Sequence, residues 1–308
     1  LRVSIPALCL LPEHLRGQHA SGTALAAQAK IDAGEPGSGL ELIERMKGRC
    51  GCEFIILSGY DQFEYAKKAI EAGKHVLSEK PLSFTKKESE VLYTSAKEKG
   101  VVLMEAVKAA YCPGFQQLIN VAKSGKIGDI VDVEASFTRL ADPLSRERTD
   151  AEYGGAFLEF GPSVLVPVIK LMGKDYTSVT FDSIYDGNGV DLYTKADIRY
   201  DNGFATVKTG VGVKTEGQLV VSGTKGYIIA QSPWWLMKKF DVRYEDSSKI
   251  EHFEPRFQGD GLRYEISDFV SKINGTDKKD YKLTAGESII MSEFVEKFME
   301  QKKNRKNR

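Results

Sequence analysis

Residues 40 to 108 alternate between short apolar runs and segments whose apolar positions recur at helical spacing. The apolar runs are EFIILS, HVLSEKP and VVLMEA, which have the length and composition of buried strands. The segments between them are FEYAKKAIEAG and KKESEVLYTSAKEKG, and each ends at a glycine. This β-α-β-α-β order predicts a parallel sheet with helices on its faces.

A parallel sheet of this kind binds ligands beyond the carboxyl ends of its strands. Two of the predicted strands end next to polar residues and residues that favour turns. We therefore expect the ligand-binding edge to contain Ser58, Gly59, Tyr60, Glu79, Lys80 and Pro81.

From about Asp129 the pattern changes to strand-like runs separated by glycine-containing turns. The runs include IVDVEASFTRL, VDLYTKADIRY and FATVKTGVGVK, and the turns include DGNG, YDNG and GTKG. This spacing predicts an antiparallel or mixed sheet of about six strands. Two helices are predicted after it, near Leu262–Ile273 and Ala285–Glu300.

The strands between Ser178 and Val242 alternate poorly between apolar and polar residues, as in VTFDSIY and YIIA. Poor alternation favours a sheet that is covered on both faces, one by helices and the other by a second subunit. We therefore expect a homodimer or homotetramer that forms through this sheet.

The charges of the chain are balanced, because it has 43 basic and 43 acidic residues. This balance removes the electrostatic argument for nucleic acid or an anionic membrane as a partner. The apolar run near the N-terminus is broken by Pro6 and Pro12, so neither a signal peptide nor a membrane span is expected. The four cysteines are too irregularly spaced for a disulfide framework or a metal site, which predicts a reduced, cytoplasmic protein. The basic run from Lys302 to Arg308 is expected to be a solvated tail.

Lys80 stands between Glu79 and Pro81 at the end of a predicted strand. A partly desolvated lysine there can donate a hydrogen bond to a reacting hydroxyl or carbonyl, and can move a proton if its pKa is lowered. Pro81 has a fixed φ, and a cis bond before it would aim the lysine towards the ligand edge. Glu-Lys-Pro is a common tripeptide, so a surface loop is the alternative interpretation.

The stretch EAGKHVLSEKPLSFTKKESEVLYTSAKEKGVVLMEA resembles the signature segment of the Gfo/Idh/MocA oxidoreductases. The later segments GGAFLEFG and GLRYEISDFVSKI also resemble that family, so the likeness runs from about residue 53 to 297. It implies a Rossmann-like parallel domain over residues 1–108 and an α+β domain with a large mixed or antiparallel sheet over residues 109–308. It also implies hydride transfer between NAD or NADP and a carbon of a sugar-type substrate.

The resemblance assigns roles to particular residues. Lys80 matches the catalytic lysine of the family, and Glu159 matches its acid, which is normally an aspartate that holds substrate or orients the proton-transfer group. The family places His or Tyr four residues after that acid, where this chain has Ser163. A serine hydroxyl is a poor general base at neutral pH, which leaves Lys80 or Tyr111 to handle the proton.

The front of the chain departs from the family pattern. A dinucleotide site uses G-x-G-x-x-G between a strand and a helix, and no segment before Gly39 fits that motif. Residues 30 to 72 instead resemble the receiver domain of a response regulator. The receiver resemblance would make Asp32 the phosphoacceptor and Ser58 the switch residue, with Lys80 as the lysine that precedes a proline.

Three functions therefore remain open. The first is an NAD(P)-dependent oxidoreductase acting on a sugar or sugar derivative, with Lys80 and Glu159 at its site. The second is a catalytically impaired relative that serves as a ligand-binding or oligomeric scaffold. The third is a signalling module that is phosphorylated on Asp32.

Overall fold

The structure is a computed structural model that describes residues 54–57, 62–259, 261–276 and 282–306. The chain divides into two compact units. Of the described residues, the first unit holds those up to Ala106 together with 266–276. The second unit holds Val107–Glu265 together with 282–306.

The first unit contains a parallel three-stranded sheet in the order β1-β2-β3. Its elements are β1 (Phe54–Leu57), α1 (Gln62–Glu71), β2 (His75–Glu79), α2 (Lys86–Lys99) and β3 (Leu103–Ala106). The predicted β-α-β-α-β order is therefore confirmed. Since Glu79 pairs with Ala106, β2 and β3 end together at one edge of the sheet.

Local sequence signals fix both ends of α2. The Thr85 side chain caps its start by accepting a hydrogen bond from the backbone N–H of Glu88 at 3.2 Å. Gly100 ends the helix in the left-handed conformation, with φ of 66°. The buried side of the helix joins a core that includes Ala66, Ile70, Val76, Leu82, Leu92 and Ala96.

The second unit is built on one mixed sheet of eight strands, in the order β11-β10-β9-β8-β4-β7-β6-β5. The pair β4–β7 is parallel and the other neighbouring pairs are antiparallel. The strands are β4 (Ile130–Thr138), β5 (Ser178–Tyr185), β6 (Asp191–Tyr200), β7 (Gly203–Gly210), β8 (Leu219–Gly223), β9 (Tyr227–Ala230), β10 (Phe240–Arg243) and β11 (Ile250–Phe253).

The predicted fold class, a Rossmann-like domain followed by a domain with a large mixed sheet, is confirmed. The sheet has eight strands rather than about six, for two reasons. The run GQLVVSGTKGYIIA folds into two strands around its GTKG turn. The edge strand β11 has the sequence IEHF, which has too few apolar residues to stand out as a strand.

Helices of very different length complete the second unit. They are α3 (Lys108–Tyr111), α4 (Pro113–Lys123), α5 (Arg146–Thr149), α6 (Ala156–Met172) and α8 (Ala285–Lys306), with α7 (Leu262–Ile273) beginning in this unit and a 3-10 turn at Trp234–Leu236. Nearly every residue of α6 is buried, as expected for a helix that is apolar all round and lies against β4, β6 and β7. Among the described helices, none is long and apolar enough to cross a membrane.

The two faces of the large sheet differ in burial. In β7 the residues Gly203, Ala205, Val207 and Thr209 are buried, whereas the residues between them are partly or largely exposed. Burial therefore alternates more regularly than the apolar pattern did, because polar residues such as Thr209 are buried with a hydrogen bond to the backbone. One face lies against α6, and the other, which we call the outer face, includes Phe204 at 54% exposure.

The C-terminal basic run is not a solvated tail in its first part, so that expectation is wrong there. Helix α8 continues to Lys306, and Lys302 is 5% exposed with its Nζ 3.8 Å from Asp191 Oδ1. The Arg305 guanidinium lies 4.0 Å from the ring centre of Tyr185. These basic side chains therefore pack against the sheet.

Candidate functional site

Lys80 directly follows the last residue of β2, at the carboxyl edge of the parallel sheet. The Lys80–Pro81 peptide bond is cis. Glu79, Lys80 and Pro81 are all partly exposed, whereas Leu77 and Leu82 on either side of them are buried. The structure thus places these three predicted residues on the edge of the sheet that ligands use in folds of this class.

A buried glutamate holds the loop that carries Lys80. Glu105 on β3 is 1% exposed, and its Oε1 accepts a hydrogen bond from the backbone N–H of Leu82 at 3.0 Å. The Ser83 hydroxyl lies 2.7 Å from that of Ser89 and donates to the carbonyl of Thr85 at 2.8 Å. The backbone just after Lys80 is therefore fixed by side chains from a neighbouring strand and helix.

The sequence prediction missed Glu105, although one signal pointed to it. An acid in the apolar strand run VVLMEA costs free energy to bury unless it has hydrogen-bond partners. The predicted residues Ser58, Gly59 and Tyr60 and the receiver-like Asp32 lie outside the described residues. Their roles stay predictions.

The glycine pair of GGAFLEFG is required by close contacts at the start of α6. Gly155 has φ of 102° and ψ of 170°, a backbone conformation found essentially in glycine alone. A Cβ on Gly155 would lie 1.9 Å from Asp191 Oδ1, and one on Gly154 would lie 2.5 Å from the carbonyl oxygen of Asp150. Both glycines therefore let the chain enter α6 in a space that a side chain would fill.

Asp191, at the start of β6, caps α6 from a different part of the chain. Its Oδ2 accepts hydrogen bonds from the backbone N–H of Phe157 at 2.8 Å and from the Thr194 hydroxyl at 3.0 Å. The side chain is fully buried, and this burial raises the pKa of its carboxyl group, against the effect of these hydrogen bonds and of Lys302. The sequence gives no local signal for this contact, because the two partners are far apart in the chain.

Glu159 lies in the first turn of α6 and is partly exposed. Its backbone N–H donates to the carbonyl of Gly155 at 3.2 Å, and its Oε2 lies 3.4 Å from Arg146 Nη2. Arg146 stands on the short helix α5, in the segment that precedes the glycine pair. A carboxylate beside a guanidinium can still accept further hydrogen bonds.

Ser163 lies one turn after Glu159 on the same side of α6 and is largely buried. The helix contains Pro162 and Pro167, and Pro167 has no N–H to donate to the Ser163 carbonyl. Tyr111 is 3% exposed, at the end of α3. Both residues are therefore far more enclosed than Glu159, and their part in proton transfer stays a prediction.

The two tryptophans have different environments. Trp234 is buried and donates from Nε1 to the carbonyl of Ser136 at 2.8 Å, so it belongs to the core. Trp235 stacks on Phe137 with ring centres 3.8 Å apart, and Phe137 stacks on Phe160 at 4.4 Å. This three-ring stack reaches α6 at the residue next to Glu159.

Two family models match this chain. A model described as the oxidoreductase family with an NAD-binding Rossmann fold matches residues 18–107. A model described as the GFO/IDH/MocA C-terminal domain matches residues 115–229. Together they span about two thirds of the chain. The first begins well before residue 53, where the resemblance was expected to start, and it includes the receiver-like segment.

Curated relatives agree with these models. The chain is 30% identical over 203 residues to the uncharacterized oxidoreductase YhhX of Escherichia coli (strain K12), covering 64% of this chain and 56% of YhhX. It therefore spans little more than half the length of that relative. It is 26% identical over 247 residues to the scyllo-inositol 2-dehydrogenase (NADP⁺) IolU of Bacillus subtilis (strain 168), covering 77% of this chain and 74% of IolU.

A solved structure shows the same fold. The 3-ketoreductase KijD10 from Actinomadura kijaniata, in complex with TDP-benzene and NADP, superposes with a TM-score of 0.68 over 84% of each chain at 20% identity. At that identity the likeness concerns the fold alone. The two family models, which together match about two thirds of the chain, show that it belongs to the Gfo/Idh/MocA family of oxidoreductases, and residues 18–107 match the model of its NAD-binding Rossmann fold.

Proposed function

We propose that this protein is an NAD(P)-dependent oxidoreductase that transfers hydride between the nicotinamide cofactor and a carbon of a sugar or sugar derivative. The observation that carries the proposal is the position of Lys80, directly after β2 on the carboxyl edge of a parallel sheet. IolU by its name acts on an inositol, which supports a polyol or sugar as the substrate class.

The sheet described in the first unit supports the binding of a nicotinamide cofactor. Three parallel strands in the order β1-β2-β3 form the kind of edge on which dinucleotides lie. Glu79, Lys80 and Pro81 would contact the nicotinamide half, and Ser58, Gly59 and Tyr60 are the further residues that we assign to it. The bound cofactor, whether NAD or NADP, supplies the hydride donor or acceptor.

Lys80 is the residue to which we assign proton transfer at the reacting oxygen. Its ammonium group can donate a hydrogen bond to a carbonyl oxygen and stabilise the negative charge that develops there. Glu159 is assigned to hold a substrate hydroxyl, with Arg146 fixing its carboxylate. Ser163 is too weakly basic at neutral pH to replace Lys80, which leaves Tyr111 as the other proton-transfer group.

Replacing Lys80 by methionine tests the assignment. We expect turnover to fall by at least roughly 10²-fold, the contribution of a positioned proton donor, while the fold is kept. The assay follows NADH and NADPH absorbance with a panel of inositols, aldoses and dTDP-sugars. Lys87→Met is a matched control, because Lys87 is an exposed lysine on α2 of the same unit. Unchanged turnover in folded Lys80→Met protein would contradict the proposal.

A catalytically impaired scaffold is the second candidate function. Ser163 favours it, because a serine hydroxyl is a poor base in the place where the resemblance gives His or Tyr. The family holds the cofactor pyrophosphate with backbone amides of a G-x-G-x-x-G loop, which the sequence before Gly39 does not contain. Losing several charge-assisted hydrogen bonds, at roughly 1.5–3 kcal/mol each, would move the dissociation constant from micromolar to millimolar. Calorimetric titration with NAD(H) and NADP(H) separates the two candidates, since a low-micromolar constant would eliminate the impaired scaffold.

A further inference from the structure

A fully buried carboxylate joins three parts of the second unit at the start of α6. Asp191 belongs to β6, accepts a hydrogen bond from the Phe157 backbone N–H on α6, and lies 3.8 Å from Lys302 Nζ on α8. No local feature of the sequence pointed to this arrangement. The segment that it holds is the one that carries Glu159.

We propose that Asp191 is a positioning residue for Glu159, and this inference rests on the proposed function. The carboxylate fixes the first turn of α6, and through that turn it fixes where the Glu159 side chain is presented. The Lys302 ammonium, 3.8 Å from Asp191 Oδ1, stabilises this carboxylate electrostatically.

The chain of contacts from Asp191 to Glu159 is short and consists of backbone groups. Asp191 Oδ2 binds the N–H of Phe157, two residues before Glu159. Asp191 Oδ1 lies against Gly155, whose carbonyl accepts the Glu159 N–H at 3.2 Å. Asp191 therefore contacts two residues, Gly155 and Phe157, of the turn that this hydrogen bond closes.

The first turn of α6 depends on this contact because its own sequence supplies no cap. A helix begins with backbone N–H groups that lack partners inside the helix. The N-cap residue here is Gly155, which has no side chain to accept a hydrogen bond from them. Asp191, on strand β6, supplies the missing acceptor.

The remaining contacts of Asp191 explain why it stays in one position. The Thr194 hydroxyl donates to Oδ2 at 3.0 Å, and the Lys302 ammonium lies on the Oδ1 side. A buried carboxylate without such partners is strongly unfavourable. Lys302, which was expected in a solvated tail, is thus part of the support for Glu159.

The other end of α6 provides a matched control. Lys170, in the last turn of α6, is buried and pairs with Glu287 of α8 at 2.9 Å. Breaking that pair also removes a buried charge contact between α6 and α8, but it does so more than two turns away from Glu159. If a loss of stability alone lowered kcat, breaking the contact at either end of α6 should lower it equally. A positioning effect should lower kcat only when the Asp191 contact is broken.

The experiment compares Asp191→Ala, Asp191→Asn and Glu287→Ala in the full chain. We expect Asp191→Ala to lower kcat by roughly 10²-fold through misplacement of Glu159, with the NAD(P)H dissociation constant unchanged. Asp191→Asn keeps an acceptor oxygen for Phe157 and should restore most of the activity. Glu287→Ala should lose stability but keep its kcat.

Hydrogen exchange provides a second measurement that needs no turnover. Asp191→Ala should speed exchange in peptides covering residues 156–161 and leave residues 164–172 unchanged. Unchanged kcat and exchange in folded Asp191→Ala, or equal loss of kcat in Asp191→Ala and Glu287→Ala, would overturn the inference.

If the wild type turns over no substrate, the proposed function fails, and exchange across residues 156–161 still decides whether Asp191 holds this turn. If Asp191→Ala does not fold, Thr194→Val takes its place, because it removes the hydrogen bond from the Thr194 hydroxyl to the carboxylate. The same criteria then apply.

Discussion

Replacing Gly155 by alanine should destabilise the protein more than the same replacement at Gly173, at the opposite end of α6. Both glycines have closely similar backbone conformations, with φ of 102° and ψ of 170° at Gly155 and φ of 93° and ψ of −171° at Gly173. This conformation costs a residue with a side chain about 1–3 kcal/mol. The backbone contribution should therefore be the same at the two positions.

The surroundings of the two glycines differ. A Cβ at Gly173 meets nothing within 4 Å, whereas one at Gly155 would lie 1.9 Å from Asp191 Oδ1 and 2.8 Å from its Cγ. The buried carboxylate can move away only by giving up its hydrogen bond to Phe157, which costs about 1–3 kcal/mol. We expect the free energy of unfolding to fall by that additional amount in Gly155→Ala.

Urea denaturation of the wild type and both variants gives the free energies of unfolding by linear extrapolation. The double variant Gly155→Ala/Asp191→Ala should recover the steric part of the loss, because the clashing carboxylate is absent. Equal destabilisation by Gly155→Ala and Gly173→Ala would refute the steric explanation of Gly155. It would leave backbone conformation as the sole reason for a glycine at position 155.

Two further predictions concern other parts of the chain. Glu105→Leu should lower turnover, because the Leu82 N–H then loses its buried acceptor. Glu105→Gln keeps an acceptor oxygen and should keep most of the turnover. A steady-state assay in which the two variants lose turnover equally would contradict this role of Glu105. The outer face of the large sheet should form a homodimer or homotetramer, and Phe204→Glu should shift the mass measured by light scattering at micromolar concentration towards the monomer. A wild-type protein that is monomeric under those conditions would rule out assembly through this face.

The sequence predicted those parts of the fold that local periodicity determines. The runs around Lys80 gave the parallel sheet and its helices, because apolar spacing and glycine stops act within a few residues. The eighth strand was missed because β11 is short and polar. The buried state of Lys302 was missed because a run of basic residues is usually solvated, and only the partner Asp191 makes burial favourable.

The candidate site was predicted in part for the same reason. Lys80 and Glu159 were found through local motifs, but the residues that hold them were not. Glu105 acts on the Lys80 loop from the neighbouring strand β3, and Asp191 acts on α6 from β6. Such contacts are set by tertiary packing, so neither spacing nor composition near the motif contains them.

The position of β4 in the large sheet has a consequence for how the chain folds during synthesis. β4 is the first strand of this sheet to be made, yet it lies between β7 and β8, which both come later in the chain. Until residue 223 has emerged from the ribosome, one or both edges of this apolar strand lack their partners. The hairpin of β5 and β6 can form before then, since its strands pair with each other. Long-range closure around β4 is therefore expected to be the slow step in folding of the second unit, and the interval in which the nascent chain is most open to aggregation.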